Sequence, residues 1–547
     1  MFLQAKNDII KTAERLISQG LERILRMKNK PVFKPYQQNQ MTLFPINLEE
    51  LIPESHMVRV IDRAIEKMDM TPLLSQYKGG GSPAYNPVMM LKVIVYAYAD
   101  QIYSSRRISK ATRENIHFMW LTGNVPLNFM TINRFRSERL KGIIEDIFTE
   151  VVKLLLSEGY IKFENYFLDG TKIEANANKY SWVWGKSTNN YMKKLKEKVT
   201  SHLKEIDIIE SEENEMLGES DLPELGDGKE INSEAIREFA EEIDKKLCED
   251  PKNRELKKAK KAIEKDYLPR MEKYEDQLEI LEERKSYSKT DKDATFMRMK
   301  EDHMKNGQLK PGYNVQIGTE EQFITGFSIH QRPGDTATFK EHMKKVKKNM
   351  NGQVPKNVIA DAGYGSEENY EYLEDEEITG YVKYNTFHKE ASKKWKNDPT
   401  KVQNFTYKDE NDTYTCPMGR PFVFLYEKKQ KSDLGYVSII HVYECLNCSG
   451  CPHRSNCVKS ADEYANRRIY INRRLNELKA NARELLTSEY GLEMRSKRPI
   501  EVESVFGNIK SNYGMRRFLL RGLKKVNIEW GLYSIAHNMR KIAVMAR

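Results

Sequence analysis

The stretch Tyr166-Phe-Leu-Asp169-Gly-Thr-Lys-Ile-Glu-Ala-Asn-Ala-Asn178 predicts a buried strand that ends in an acid. Its first three residues are aromatic or apolar, with mostly high β propensity, and they stop abruptly at Asp169 and a glycine. A carboxylate at the mouth of a buried strand is within reach of a metal ion or a substrate. Many strands end in Asp-Gly only to turn, so the motif needs partners elsewhere in the chain.

A second predicted strand ends in the same way. Val354–Ala360 closes with three successive apolar residues, as in a buried parallel strand, and Asp361-Ala-Gly-Tyr-Gly365 follows it. A helix over Glu367–Leu373 and a further strand over Gly380–Tyr384 come next. Strand–helix–strand crossovers make this region parallel, so Asp169 and Asp361 are predicted to approach each other across one sheet edge.

An antiparallel hairpin is predicted between these two strands. Tyr313–Ile317 alternates apolar and polar residues, residues 319–322 make a turn, and Phe323–Ile329 returns. Asp335 is then expected to serve as the N-cap of a helix that runs to about Asn349.

The third acid is expected on a helix near the C-terminus, because two neighbouring ions need more than two carboxylates. Residues 498–510 predict a helix entered through Pro499, with an apolar stripe at helical spacing. At about 100° per residue, Glu503 and Lys510 fall on one flank of the stripe and Glu501 on the other. A carboxylate beside a phosphate-binding lysine needs the first arrangement, which favours Glu503 over Glu501. An ordinary surface pair on a core helix would give the same spacing.

Length and composition narrow the class of protein. At 547 residues the chain is too long for one ordinary core, so several domains are expected. No apolar run of about 18 residues occurs, and the N-terminus lacks the compact apolar segment of a secretory signal, so we expect a cytoplasmic protein without a membrane span. The net charge is +10, with acid concentrated around 210–250. The basic flanking segments indicate a polyanionic partner.

Two basic helices are predicted within residues 41–160. Ser104–Arg113 and Thr131–Arg139 are separated by a connector with Gly123 and Pro126, and together they resemble a helix-turn-helix DNA reader. A solvated basic helix face is the alternative. The candidate DNA contacts on these helices are Arg106, Arg107, Arg134 and Arg136.

Five of the six cysteines lie between residues 416 and 457, with spacing typical of zinc ligands. A tetrahedral thiolate site would hold together an insertion too small to fold alone. Inert reduced thiols are the alternative, and the spacing also admits an iron–sulfur cluster. The favoured zinc ligands are Cys416, Cys448, Cys451 and Cys457, with Cys445 as the alternate and His441 and His453 as substitutes.

The three acidic motifs together resemble those of DDE transposases, with the bacterial insertion-sequence 1182 group as the nearest match. The motifs are Asp169-Gly-Thr-Lys, Asp361-Ala-Gly-Tyr-Gly and Glu503-Ser-Val-Phe-Gly-Asn-Ile-Lys510. The helical N-terminal region and the tail Arg516-Arg-Phe-Leu-Leu-Arg521-Gly share the resemblance. Related transposases also carry a Tyr and an Arg upstream of the glutamate and a Lys seven residues after it. Lys510 fits that spacing, whereas Arg498 is one position off, and Tyr490 is the candidate tyrosine.

The resemblance implies an α/β RNase H-like catalytic core, with a mixed five-stranded sheet and flanking helices. Asp169, Asp361 and Glu503 would hold two Mg²⁺ or Mn²⁺ ions. We expect residues 1–160 to form a helical DNA-binding domain, 161–183 and 291–395 the two parts of the core, 184–290 a charged helical insertion, 396–475 a Cys-rich insertion with zinc, and 476–547 the C-terminal helices carrying the catalytic glutamate.

The implied function is DNA transposition. The protein would bind the terminal inverted repeats of an insertion sequence, cleave at the element ends, and transfer the 3′-OH to double-stranded target DNA. Two metals about 3.5–4 Å apart activate a water and stabilise the leaving 3′ oxygen. A homodimer is expected, because two ends must be joined. A nuclease without strand transfer and an inactive DNA-binding relative are the alternatives. The residues expected to hold phosphates near the site are Lys510, Arg516, Arg517 and Arg521.

Overall fold

The computed structural model describes residues 2–28, 47–77, 83–217, 230–299, 308–460, 462 and 464–546. It divides into two compact units, Met1–Ile52 and Pro53–Arg547. The first unit contains helix α1 (Phe2–Lys28) and a 3-10 turn, Leu48–Leu51, whose N-cap is the Asn47 side chain. Within the described residues, every helix is too short or too polar to cross a membrane.

The second unit begins with a helical region that shares its packing with the end of the chain. The most buried of these helices starts at Pro87, where the Asn86 side chain accepts hydrogen bonds from the next free backbone amides. That helix packs against the C-terminal helix Leu523–Met545, in which Trp530 is fully buried. The helices of this region are α2 (Met57–Glu66), α3 (Thr71–Leu74), α4 (Pro87–Ala99), α5 (Ser105–Glu114), α6 (Ile116–Thr122), α7 (Phe129–Arg134) and α8 (Ile144–Ser157).

A mixed six-stranded sheet follows, one strand more than the five predicted. The strands in this part of the chain are β1 (Asn165–Glu174), β2 (Trp182–Trp184), β3 (Ser286–Ser288), β4 (Thr295–Arg298), β5 (Leu309–Glu320), β6 (Phe323–His330), β7 (Asn357–Ala360) and β8 (Thr379–Val382). Its order is β4-β5-β1-β7-β8, with β6 also paired to β5. β5 is antiparallel to β1, β4 and β6, whereas β7 is parallel to both β1 and β8. This mixed sheet with flanking helices is compatible with an RNase H-like core.

The first strand is longer than predicted. β1 does not end at Asp169 but continues to Glu174. The parallel partner β7 pairs only with Asn165–Phe167, whereas the antiparallel partner β5 pairs from Phe167 to Glu174. Asp169 therefore lies inside a strand, just beyond the last parallel pair, because β5 extends the strand past the point where β7 stops.

The predicted hairpin is present as β5 and β6. Its turn residues Glu321 and Gln322 have φ values of 50° and 59°, as the two central residues of a type I′ turn require. The helix predicted to start at an Asp335 N-cap begins later, at Phe339. Asp335 does not cap it, because its carboxylate accepts hydrogen bonds from side chains of β5 instead.

The charged segment after β2 is helical and has its own hydrophobic core. Apolar side chains on its helices, including Leu195, Ile236, Phe239, Ile263 and Met271, are buried against one another. Strands β2 and β3 pair at its base. Its helices are α9 (Gly185–Leu217), α10 (Ser233–Glu249), α11 (Arg254–Ala262) and α12 (Leu268–Leu281).

The Cys-rich segment forms a separate five-stranded antiparallel sheet, in which neighbouring strands follow one another along the chain from Thr406–Lys408 at one edge to Arg468–Ile471 at the other. Its small core contains Phe405, Phe422 and Tyr443 together with Cys445 and Cys448. The elements from α13 to this sheet are α13 (Phe339–Asn349), α14 (Glu367–Asp375), α15 (Phe387–Glu390), α16 (Lys393–Lys396), β9 (Thr406–Lys408), β10 (Thr413–Thr415), β11 (Pro421–Lys431), β12 (Val437–Cys445), α17 (Arg454–Cys457) and β13 (Arg468–Ile471).

The C-terminal helices return to the main sheet. The helix predicted to begin at Pro499 starts earlier, at Glu489, and passes through Pro499 as a π-helical turn, Pro499–Glu503. Proline has no backbone N–H to donate, so a widened turn at this point is consistent with its chemistry. The helices are α18 (Arg473–Thr487), α19 (Glu489–Arg498), α20 (Ser504–Gly507) and α21 (Leu523–Met545).

Candidate active site

The three acids singled out from the sequence surround one guanidinium group. Nη2 of Arg498 lies 3.2 Å from Asp169 Oδ1 and 3.6 Å from Asp361 Oδ2. Nη1 of the same side chain lies 3.8 Å from Glu503 Oε1. Three acids from distant parts of the chain therefore meet at one point of the fold.

Strand register places the two aspartates side by side. Phe167 of β1 is paired in parallel with Ile359 of β7, and Asp169 and Asp361 each lie two residues further along. The backbone N–H of Gly170 donates to Asp169 Oδ1 at 2.9 Å. The Gly363 N–H donates to Asp361 Oδ1 at 2.8 Å. Backbone donors thus orient both carboxylates at the same edge of the sheet.

A π turn separates Arg498 from Glu503. In an α-helix, residues five apart point in different directions, since 3.6 residues complete a turn. A π turn closes i→i+5 hydrogen bonds, so residues five apart lie closer to the same side than they do in an α-helix. Arg498 and Glu503 are separated by this turn and face the same cluster.

Glu501 has a different role from Glu503. It is buried, and its carboxylate accepts a 2.6 Å hydrogen bond from the backbone N–H of Gln322 in the β5–β6 turn. Burial raises its pKa, an effect opposed by this hydrogen bond. Tyr490 also lies away from the acids, since its hydroxyl donates at 2.9 Å to Asn165, at the start of β1.

The cluster is closed on one side and open on the other. The Asp169 and Arg498 side chains are only 9% and 10% exposed, whereas those of Asp361 and Glu503 are 40% and 60% exposed. Carboxylate oxygens with access to water are the ligands that Mg²⁺ prefers. The donor set therefore suits a divalent ion.

No metal-binding geometry is formed by three or more His, Cys, Asp or Glu side chains in the part of the chain that the structure describes. At the acid cluster, the Arg498 guanidinium lies among the three carboxylates.

The five clustered cysteines line one small cavity of about 20 Å³. His453 also lines it, whereas His441 lies on β12 with its Nε2 3.2 Å from Glu427. Arg467 donates to two of the thiols, from its side chain to Cys457 Sγ at 3.1 Å and from its backbone to Cys448 Sγ at 3.4 Å. Burial raises the pKa of Cys445 to about 12.

The predicted basic residues of the tail are placed beside the far end of β1. Arg516 and Arg517 are exposed, and Arg517 forms an isolated parallel bridge with Glu174. Arg521 is exposed, and its Nε donates at 2.8 Å to the carbonyl of Asn176. Glu174 is five residues beyond Asp169, about 17 Å along an antiparallel strand. Lys510 lies closer to Glu503 in sequence and is half-buried.

The basic residues of the N-terminal helices divide into two groups. Arg106, Arg107 and Arg134 are exposed, and Arg106 stacks on the Phe129 ring at 5.2 Å. Arg136 was predicted to contact DNA, but it is only 5% exposed. Its guanidinium donates to the Tyr103 carbonyl at 2.8 Å, so it ties the helical region together from inside and is not available to a phosphate.

Two features of the site were missed in the sequence. Lys383 directly follows β8 and lies in register with Asp361, since Val382 pairs with Ala360. Burial lowers the pKa of Lys383, and Arg495 and Arg498 lower it further. Asn314 and Gln316 are fully buried polar residues of β5. Their sequence signal is a pair of amides that alternate with the apolar residues Tyr313, Val315 and Ile317.

Two segments of the chain match family models. Residues 415–543, which include Glu503 and Arg498, match a family described as a transposase DDE domain. Residues 46–138, which include the exposed arginines of the N-terminal helices, match a transposase domain family, DUF772. A search of curated proteins gave no match. Together the two family matches support a DNA transposase of the DDE type.

Proposed function

We propose that this protein is a DNA transposase of the insertion-sequence 1182 group that cuts DNA at element ends and joins the freed 3′-OH to target DNA. Asp169, Asp361 and Glu503 are its proposed metal ligands. The observation that carries the proposal is the meeting of these three carboxylates around the Arg498 guanidinium. Hydrolysis and strand transfer use the same phosphodiester chemistry, so one site serves both steps.

The proposed roles of the residues in the cluster differ with their exposure. Two bound divalent ions would activate a water and stabilise the leaving 3′ oxygen. Asp169 is fixed at the closed side of the site, and Asp361 and Glu503 are at the side from which DNA can approach. Lys510 is the proposed partner of phosphate oxygens next to the cleaved bond, whereas the buried Arg498 pairs with the acids themselves.

The partners follow from the reaction. We propose that the protein binds the double-stranded terminal inverted repeats of its element and a target duplex, and acts as a homodimer because two ends must be joined. The exposed arginines of the N-terminal helices and of the tail are the proposed phosphate contacts. Its proposed location is the bacterial cytoplasm, at the nucleoid.

A structural zinc ion is a separate proposal. Cys416, Cys448, Cys451 and Cys457 are the proposed ligands, because thiols that line one cavity have the chemistry that zinc requires. Zinc would hold a small sheet whose own core is limited to a few side chains.

The test is cleavage of the element's own ends. The full chain is incubated with labelled end duplexes and Mg²⁺, and the strands are resolved on a denaturing gel. Cleavage that frees a 3′-OH is expected, and pre-cut ends are expected to join to a target plasmid. Cleavage without joining would identify a nuclease. Binding of the ends without cleavage in Mg²⁺ or Mn²⁺ would identify an inactive relative.

A further inference from the structure

The β5 strand carries buried amides on the face opposite its apolar residues. Asn314 and Gln316 are both fully buried, whereas their neighbours Tyr313, Val315 and Ile317 form the apolar side of the strand. Burying an amide is unfavourable unless it is hydrogen-bonded, so these two side chains need specific partners.

Their common partner is Asp335. Asn314 Nδ2 donates to Asp335 Oδ1 at 2.8 Å, and Gln316 Nε2 donates to the same oxygen at 3.0 Å. Gln316 in turn accepts a hydrogen bond from the hydroxyl of Tyr364. Tyr364 belongs to the loop that directly follows Asp361. One continuous chain of hydrogen bonds therefore joins Asp335 to the loop of a proposed metal ligand.

The glycines beside the two aspartates make room for this carboxylate. Gly170 is paired with Gln316, and a Cβ at Gly170 would clash with Gln316 Nε2 and lie 2.8 Å from Asp335 Oδ1. A Cβ at Gly363 would lie 3.0 Å from Asp361 Oδ1 and 3.7 Å from Asp335 Oδ2. Asp335 thus lies between the backbone next to Asp169 and the backbone next to Asp361.

The segment that carries Asp335 is also fastened directly to the Asp361 loop. Thr336 Oγ1 donates to the Gly363 carbonyl at 2.5 Å. Asn369 Nδ2 bridges the two segments, donating to the Tyr364 carbonyl at 2.8 Å and to the Thr336 carbonyl at 3.0 Å. Burial raises the pKa of Tyr364, and the charges of Asp169, Asp335 and Asp361 raise it further, so its hydroxyl keeps the proton that it donates.

We propose that Asp335 is a positioning residue for the metal site, acting through Gln316 and Tyr364 to set the distance between Asp169 and Asp361. The inference rests on the proposed function. Ligands of a two-ion site must be held in narrow geometry by groups behind them. Residues that hold metal ligands in this indirect way change metal affinity by about 10- to 100-fold when they are replaced.

The test measures how cleavage of a pre-annealed end duplex depends on Mg²⁺ concentration. Asp335→Asn removes the negative charge of the carboxylate that accepts hydrogen bonds from both amides. It is expected to raise the half-saturating Mg²⁺ concentration about tenfold or more. Tyr364→Phe removes one hydroxyl and is expected to shift the same value in the same direction. End binding in Ca²⁺ should stay unchanged in both variants.

Asp291→Asn is the matched control. Asp291 is buried to a similar degree as the polar residues of β5 and accepts a 3.0 Å hydrogen bond from Tyr313 on the same strand. Tyr313 is paired with Ile173, four residues beyond Asp169, so this contact lies away from the acids. The control is expected to lower the melting temperature and to leave the Mg²⁺ dependence unchanged.

The outcomes separate the two proposals. Wild-type Mg²⁺ dependence in both Asp335→Asn and Tyr364→Phe, with Asp361→Asn inactive, would overturn the positioning role and leave the proposed function standing. The same shift of the half-saturating Mg²⁺ concentration in Asp291→Asn would also overturn the positioning role, because replacing a buried carboxylate away from the acids would then have the same effect. Full cleavage by Asp361→Asn would overturn the proposed function itself.

Discussion

Glu501 and Glu503 are two residues apart and have opposite surroundings. Glu503 is largely exposed beside Arg498, whereas Glu501 is buried against the β5–β6 turn. Glu503→Gln is therefore expected to reduce cleavage more than about 100-fold, because loss of a proposed metal ligand should exceed the effect of a supporting residue. Cleavage of a labelled end duplex measures the loss, and filter binding should show nearly unchanged end affinity.

Glu501→Gln is the paired control for this prediction. It keeps an oxygen that can accept from the Gln322 N–H, so cleavage and melting temperature should both stay near those of the wild type. Loss of cleavage in Glu501→Gln with activity retained in Glu503→Gln would reverse the assignment of the catalytic glutamate.

Gly170 and Gly507 give a second comparison at the scale of single residues. Gly170→Ala would bring a Cβ against the buried Gln316 and Asp335 side chains, so a destabilisation of about 1–3 kcal/mol is expected. Gly507 lies in helix α20 with open space around its Cβ position, and Gly507→Ala should stabilise by about 0.5–1 kcal/mol. Thermal unfolding measures both changes. Equal stability of the two variants would show that Gly170 has room for a side chain.

Among the elements, those with a regular hydrophobic period could be predicted and those set by distant contacts could not. The hairpin was found from its period of two, and its turn from Thr319–Gln322. The true end of β1 was missed, because it depends on where β5 and β7 stop pairing. The π turn after Arg498 was missed because a fixed angle per residue assumes a regular α-helix.

The same distinction applies to the candidate site. Its acids were selected by motif and strand order, which the sequence contains. Asp335 was assigned to a helix cap, since nothing local reveals that its partners are side chains on β5. Arg136 was grouped with exposed arginines, since its neighbours Tyr98 and Tyr103 come from another part of the helical region.

The packing of helix α21 on the β5–β6 turn predicts that the folding stability falls at low pH. Burial lowers the pKa of His537 from 6.5 to about 4, with Lys541 and Arg540 adding to the effect, while His537 Nε2 donates to the Gln322 carbonyl at 3.0 Å. As the pH falls from 6.5 to 4, the unfolded chain takes up a proton that the folded chain does not, so stability is lost. The loss is about 2 kcal/mol at pH 5.

His537→Gln tests whether His537 causes this pH dependence, because glutamine keeps a donor for the Gln322 carbonyl but does not titrate. The melting temperature of the wild type should fall more than that of the variant between pH 7 and pH 5. An equal fall in the two proteins would show that His537 is not the group responsible.

At the scale of the whole molecule, the exposed arginines predict a salt-dependent affinity for DNA. Arg134→Gln should weaken end binding at low salt and reduce the slope of log affinity against log salt concentration by about one. Arg136→Gln is the control from the same helical segment. It removes buried hydrogen bonds, so it should lower stability by about 1–3 kcal/mol without changing that slope. A wild-type slope in Arg134→Gln would remove this helix from the DNA interface.

The Cys-rich sheet predicts a metal requirement that is separate from catalysis. Its core is small, and structural zinc contributes on the order of 10 kcal/mol to the folding of small domains, so removing the ion should melt this segment first. A zinc-selective chelator is expected to lower the melting temperature, and atomic spectroscopy should find one zinc per chain.

Cys457→Ser should lose the zinc, whereas Cys248→Ser, at an exposed position of α10 outside the cavity, should retain it. Because zinc would act on the sheet and not on the acid cluster, the chelated protein should still respond to Mg²⁺ at temperatures below the new transition. A zinc-free protein with unchanged melting would mean that the five thiols pack as ordinary core residues.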